Sequence, residues 1–248
     1  MSEPRILVLD IETSPNVAHV WGLWQQNVSL SQLLESTQVI SFAAKWHGAK
    51  PVFFYSDFHD SHDVMVAKAH ELMDEADAII HYNGTTFDIP HLKREFVKAG
   101  LTPPSPHKDI DLLRVVKKQF RLPSNKLQYV STYLGLKGKV AHTGHEMWVK
   151  CMAGDAKAWQ LFKKYNKGDV TLTEELYDVL LPWISSHPHR GLWTGERESC
   201  QRCGSTQLQR RGEARTLLGV YPRLHCQGCG SWSRGAVREA AVTARAIQ

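Results

Sequence analysis

At 248 residues, 42% hydrophobic and 22% charged, the chain has the make-up of an ordinary globular protein, which excludes a disordered or low-complexity one. No apolar run approaches the roughly 20 residues that span a bilayer, which excludes a helical membrane protein and argues against any membrane partner. The formal charge is +5, and the opening "MSEPRILVLD" lacks the basic, apolar and cleavage regions of a secretory signal, so a cytoplasmic, reducing setting is expected.

The first predicted element, "ILVLDIETS" (6–14), ends a buried-looking strand in two carboxylates. Strand side chains alternate, so Asp10 and Glu12 share the face of Ile6 and Val8. Two like charges that close repel each other and lose hydration, so they need a positive partner or full solvation. Further strands are predicted at 17–24, 38–46 ("QVISFAAKW"), 51–55 ("PVFFY") and 78–82 ("AIIHY"). Residues 61–76 have helical spacing, with Met65, Ala69, Leu72 and Ala76 on one stripe, and 89–99 form a helix with Pro90 in its first turn. From 111 onward the pattern is mainly helical, at 111–120, 126–135 and in two stretches across 154–181. Strands followed by alternating helix and strand predict an α/β domain with a mixed sheet flanked by helices.

The period breaks at 182–199, "PWISSHPHRGLWTGERES", which reads as a linker. The expected organisation is a domain over 1–184, a linker over 185–198, a cysteine-rich unit over 199–235 and a basic tail over 236–248. Trp21, Trp24, Trp46 and Trp148 are expected in the core, with stacking on single-stranded bases as the alternative.

Other carboxylates stand in equally unusual places. "HYNGTTFDIPHL" (81–92) puts Asp88 at a helix entrance, where a plain N-cap is the competing explanation. In "YNKGDVTLTEELYDVL" (165–180), Asp169 edges the apolar stripe one turn after Tyr165, and Gly168 beside it fits a close approach by another group. "KDIDLL" (108–113) offers Asp109 and Asp111 as competitors for Asp88; Asp111 is expected to support the site or cap a helix. Four carboxylates converging on one site would carry about −4 and bind two hard divalent cations, Mg²⁺ or Mn²⁺. Two such ions stabilise the attacking and leaving oxygens of an in-line phosphoryl displacement.

"LDIET", "NGTTFD" and "YNKGD", in that order, resemble the three motifs of the DEDD superfamily of 3′→5′ exonucleases, which have a ribonuclease H-like fold. The second motif is most similar to family-B polymerase proofreading domains and their stand-alone relatives. With Lys164 and Tyr165 before Asp169, the third resembles the branch that carries tyrosine, DEDDy. The resemblance covers about residues 5–181 and implies roles. Asp10 would bridge two ions, and Glu12 and Asp169 would hold the nucleophile-side one. Asp88 would hold the second, and Tyr165 would position the attacking water. It also makes Thr13, Asn83, Phe87 and Lys126 candidates for substrate contact, with core packing weighed above stacking for Phe87 and solvation for Lys126. Single-stranded DNA or RNA 3′ ends are the implied substrate, DNA favoured, with a separate polymerase or replication or repair protein as a further partner. A stand-alone exonuclease with a ribbon also has a phage character, which would place it at a nucleoid or in the cytoplasm of an infected host. His142 and His145 are expected as loop or cap residues.

"CQRCG" (200–204) and "CQGCG" (226–230) are two C-x-x-C-G units with 22 residues between the inner cysteines. Cys200, Cys203, Cys226 and Cys229 suit one tetrahedral Zn²⁺, and the unit resembles a zinc ribbon. Cys151 stands apart and is expected to be buried. The segment from 191 to the end holds nine Arg, no Lys and four Glu, and so carries the whole formal +5. Arg202, Arg210, Arg211, Arg215, Arg223 and Arg234 crowd the ribbon, which is expected to hold a nucleic-acid backbone or dock a partner protein. The rival readings are a structure-specific endonuclease of the same fold and an inactive nucleic-acid-binding adaptor.

Overall fold

In the computed structural model, which describes residues 3–244, β1 (Ile6–Thr13) is the central strand of a five-stranded sheet. Residues 245–248 of the expected basic tail, and the first two of the chain, lie outside the described residues. After β1 come β2 (Val17–Ala18), β3 (Leu33–Glu35), β4 (Val39–Trp46), β5 (Phe53–Ser56), α1 (His62–Asp74), β6 (Ala78–His81), α2 (Asp88–Lys98), β7 (Lys108–Asp111) and α3 (Leu112–Gln119). Next are α4 (Leu127–Tyr133), α5 (His145–Met152) and α6 (Ala156–Leu180). The sheet order is β5-β4-β1-β6-β7, antiparallel from β5 to β1 and parallel from β1 to β7. This is the mixed α/β architecture that the sequence predicts. Where two helical stretches were expected across 154–181, α6 is one continuous helix.

The alternation in β1 divides its side chains as expected. Leu7, Leu9 and Ile11 pack with Met65, Val66, Ala69 and Met73 of α1 and Ile89, Leu92 and Phe96 of α2. A second cluster joins Ile40 of β4 to Met147, Cys151, Trp159, Phe162 and Tyr165 of α5 and α6. Inside this layer Lys45 pairs with Glu174, which also accepts the Gly48 N–H at 2.8 Å. That double contact fixes the rotation of α6 and so sets which of its residues face β1.

The described residues divide into two compact units, Arg5–Leu176 and the described part of Met1–Pro4 with Tyr177–Gln248. The second contains α7 (Gly191–Thr194), β8 (Leu208–Arg215), β9 (Gly219–Cys226), β10 (Trp232–Arg234) and β11 (Ala240–Ala241). Its sheet places β10 and β11 against β9, with β8 also paired to β9. Residues 185–198, expected as a linker, contain α7 and the buried His187, whose ring receives the Tyr177 hydroxyl proton at 2.8 Å. Among the described residues no helix is long and apolar enough to cross a membrane.

The tryptophans separate into two groups. Trp46 packs on the first core cluster and Trp148 on the second. Trp21 and Trp24 are 99% and 85% exposed, which corrects their expected place in the core. The predicted strand over 17–24 shrinks to β2, because the loop between β1 and β4 has only the two-stranded pairing of β2 with β3 and no sheet to lie on. Replacing both Trp21 and Trp24 by alanine is therefore expected to change unfolding free energy by no more than about 0.5 kcal/mol. Chemical denaturation checks this, and a loss of several kcal/mol would return them to the core.

Candidate active site

Asp10 and Glu12 leave β1 on the face opposite Leu7, Leu9 and Ile11, and the strand's register against β4 shifts between Glu12 and Thr13. Asp169 enters from α6, is 1% exposed, and has Tyr165 one helical turn before it. Carboxylate oxygens of Asp10, Glu12 and Asp169 lie within 4.8 Å of one another. Asp88 stands outside that trio but close to it. It opens α2, is buried, and accepts the Ile11 N–H at 3.0 Å from between the two β1 carboxylates. It is thus part of the carboxylate neighbourhood as well as the start of a helix.

The electrostatics express this crowding. Burial first, then Asp88, Glu12 and Asp169, raise the Asp10 pKa well above the usual carboxylate range. Burial and Asp169 push Glu12 up to about 8, and burial pushes Asp88 up to about 6. Burial and then the charge of Asp169 also raise the Tyr165 phenol, so it keeps its proton.

Sequence reading missed two residues here. Lys139 donates to Asp169 Oδ2 at 2.5 Å and to Tyr165 Oη at 3.1 Å, supplying the positive charge the cluster requires. Gly168 held a signal for it: a Cβ there would meet Val140 Cγ2 at 3.0 Å, so the glycine admits the loop that brings Lys139 in. Asn166, fully buried, donates to Asp10 Oδ2 at 2.7 Å while Ser41 donates to its carbonyl at 3.0 Å. It fixes the Asp10 rotamer, and its place on the inner stripe three residues before Asp169 could have revealed it.

The "NGTTFD" turn is set by local chemistry. Asn83 has φ +72°, and its N–H donates to Asp111 Oδ1 at 3.1 Å. A Cβ on Gly84 would lie 2.4 Å from the His81 ring, so only glycine fits. Asp111 caps α3 through the Leu113 and Arg114 N–H groups, which leaves it a supporting residue as expected. Asn83 and Lys126 line an open cleft together with Asp10, Tyr82 and Lys139. Thr13 and Phe87 are not among the residues that line it. Phe87 is 39% exposed and meets His91 edge-on at 4.7 Å, which corrects its expected place in the core. His142 lies in a loop, as expected, but packs on the Tyr165 ring at 4.7 Å.

The donors fit a divalent cation. Asp169 Oδ1 is buried without a hydrogen-bond partner, and three anionic groups share one side chain's ammonium. Lys139→Met is expected to destabilise the metal-free protein by about 2 kcal/mol, because it leaves a buried carboxylate without its counter-charge. Thermal melting should show that loss shrinking when Mg²⁺ or Mn²⁺ is saturating. An equal loss with and without the ion would refute the charge argument.

In the second unit the sulfurs of Cys200, Cys203, Cys226 and Cys229 also converge within 4.8 Å. Cys200 lies 3.7 Å from Cys229 and Cys203 lies 3.6 Å from Cys226, close to the about 3.8 Å between ligands of a tetrahedral Zn²⁺ with 2.3 Å bonds. The two turns match: Gly204 N–H donates to the Cys200 carbonyl at 2.9 Å, and Gly230 N–H to that of Cys226 at 3.0 Å. Burial raises the Cys200 thiol, but Ser231 and the N–H groups of Cys203 and Arg202 outweigh it and bring it down to about 6. Cys151 is buried in the other unit, as expected.

A mixed five-stranded sheet with helices on both faces and carboxylates at its central strand defines a ribonuclease H-like α/β domain. The RNase H superfamily model matches residues 7–181, and the chain belongs to that superfamily. No curated protein sequence matches it. Among solved structures it is similar to the family B DNA polymerase from the hyperthermophilic archaeon Pyrobaculum calidifontis, with a TM-score of 0.55 and 18% identity. That likeness covers 88% of this chain but 32% of the polymerase, so the chain spans about a third of its neighbour's length. Superfamily membership together with the carboxylate cluster supports a nuclease.

Proposed function

We propose that the protein is a 3′→5′ exonuclease acting on single-stranded nucleic acid, with DNA favoured. The observation that carries the reading is the convergence of Asp10, Glu12 and Asp169 beside Asp88 and a protonated Tyr165. These four carboxylates would hold two divalent cations, Mg²⁺ or Mn²⁺, which when bound supply the charge that stabilises the attacking and leaving oxygens. Tyr165 keeps its proton at working pH, so its hydroxyl orients water rather than acting as a base. Asn166 holds Asp10 in one rotamer. Lys139, released from Asp169 when another cation takes its place, is a cation lining the same cleft and suits a substrate phosphate. Asn83 and Lys126 line that cleft and are the contacts proposed for the terminal nucleotides; Thr13 and Phe87, which do not line it, are proposed only from the motifs that carry them.

The four cysteines would hold one structural Zn²⁺, which would leave the Arg-rich segment near +3. With that charge it would bind a nucleic-acid backbone in a salt-sensitive way. Not every arginine serves this. Arg202 is buried and donates to the Ile184 and Trp232 carbonyls at 2.8 and 3.1 Å, so it is structural. A cytoplasmic setting and a separate polymerase or repair protein as partner belong to the same proposal.

The test is degradation of 5′-labelled single-stranded DNA and RNA with Mg²⁺ or Mn²⁺. The expected result is a ladder shortening from the 3′ end, faster on DNA and absent without the metal. Products opened internally, with blocked 3′ ends still cut, would establish an endonuclease instead. Intact strands with binding retained would establish an adaptor.

A further inference from the structure

We propose that one face of the C-terminal sheet, formed by Tyr221, Arg223, His225, Trp232 and Arg234, is a stacking platform for the bases of a single nucleic-acid strand. This deepens, and rests on, the reading of the protein as a single-strand nuclease, because it names the surface and the way it would hold the strand.

Placement comes from strand alternation and register. Tyr221, Arg223 and His225 are alternate residues of β9 and share one face. Trp232 lies opposite His225 and Arg234 opposite Arg223, so both β10 side chains join them. The intervening Pro222, Leu224 and Ser233 point to the other side, where they line a cavity with Leu208 that Arg234 also borders. Rings and cations interleave on the platform. The His225 and Trp232 ring centroids are 4.6 Å apart, the Arg223 guanidinium lies 5.4 Å from the Trp232 centroid, and that of Arg234 lies 4.3 Å from Tyr221. Arg223 is held in place, since its Nε donates at 2.7 Å to the Arg211 carbonyl, where β8 bulges between Arg210 and Glu213.

The charges point to a strand rather than to a protein. Among the described residues neither Arg223 nor Arg234 is in an ion pair, whereas Arg210 and Arg215 are held by Glu239 and Glu213. Trp232 is 47% exposed, so its ring is open to a ligand. Tyr, Trp and Arg are also enriched at protein interfaces, so residue type does not choose between the two; the guanidinium groups without an acidic partner do. Here the β9 and β10 positions are rings or unpaired cations, with Gln209 and Ala214 of β8 beside them. Base π-faces stack on aromatic rings and guanidinium planes alike, and the same guanidinium groups can bind the flanking phosphates. Backbone contact alone would hold duplex as well as single strands, whereas a platform of rings requires unpaired bases.

The test uses the full chain carrying Asp10→Ala, with zinc content verified, and fluorescence anisotropy with an oligothymidylate strand and a duplex of equal length. Adding Trp232→Ala should weaken the single strand about tenfold and the duplex much less. Trp232→Phe should restore most of the loss. Arg234→Ala should reduce the salt slope by about 1, and Trp232→Ala should leave it unchanged. The proposal is overturned if zinc-replete Trp232→Ala binds the strand as its parent does, or if strand and duplex lose equally. It is also overturned if the parent binds neither, which would favour protein docking. Cleavage plays no part in these measurements. Failure of the 3′-end assay would therefore remove the exonuclease reading and leave the binding result standing.

Discussion

Asp10→Asn is expected to stabilise the metal-free protein while abolishing metal-dependent cleavage. Both effects come from one arrangement. Asp10 is held among Asp88, Glu12 and Asp169 with a single ammonium, Lys139, to offset them. Removing its charge relieves repulsion, and the Asn166 donor still finds an amide oxygen to bond. The gain should be about 1–2 kcal/mol, the usual size for relief at a strained functional site. The loss of rate should be on the order of 10³-fold, or about 4 kcal/mol of barrier. The pH dependence has a definite sign. A carboxyl group whose pKa is raised on folding favours the folded state below its unfolded value, and that contribution is lost as pH rises through the folded value. Asp88, raised from 3.8 to about 6, and Glu12, raised from 4.5 to about 8, therefore weaken the metal-free wild type progressively from about pH 4 to pH 8, with Glu12 alone contributing above pH 6. The advantage of Asp10→Asn should be largest at pH 8 and fade toward pH 5. Melting curves at both pH values, with zinc fixed and no Mg²⁺ or Mn²⁺, check it. A variant that melts below wild type at pH 8 would show that the carboxylates are not under strain.

The legible parts of this protein are those in which residue type and period say the same thing. In "ILVLDIET", alternation alone put Asp10 and Glu12 together on one face, and β1 places them so. Asp169 was readable because it lies on the apolar stripe of a helix, where a carboxylate needs a reason. Lys139 was not readable. It sits in a loop with no period, and its approach to Asp169 depends on how that loop crosses α6 at Gly168. Trp21 and Trp24 were misplaced because size and apolarity predict burial only where an element offers a surface to bury against, and the loop between β1 and β4 has none. Phe87 was misplaced for a related reason. Its backbone serves the turn before α2, which leaves its ring outside while Asp88 goes in. Arg202 shows the limit of charge counting: its guanidinium is used up by two backbone carbonyls. In each case a residue's chemistry was visible in the sequence, but the partner that uses it was set by tertiary packing.

Replacing Cys226 by serine is expected to unfold the C-terminal unit and leave residues 5–176 folded. Within that unit the strands of β8 to β11 bury little apolar surface, and β8 in particular is exposed along most of its length. A small sheet of that kind rarely supplies enough hydrophobic stabilisation alone. Structural Zn²⁺ contributes an apparent 10–16 kcal/mol or so in comparable four-ligand units at neutral pH, far more than the sheet can. Loss of one ligand should therefore release the ion rather than weaken it slightly. It would also leave Cys200, Cys203 and Cys229 as thiols without the charge that draws them together. The wild type should release about one equivalent of zinc on denaturation, and Cys226→Ser should be isolated with almost none. Limited proteolysis should then cut the variant after residue 176 and leave a resistant fragment. The core built on β1, α1, α2 and α6 does not draw on these four cysteines, so that fragment should keep its own melting transition. A variant that retained zinc, or whose two units became sensitive together, would show that the ion is not what holds the second unit in its fold.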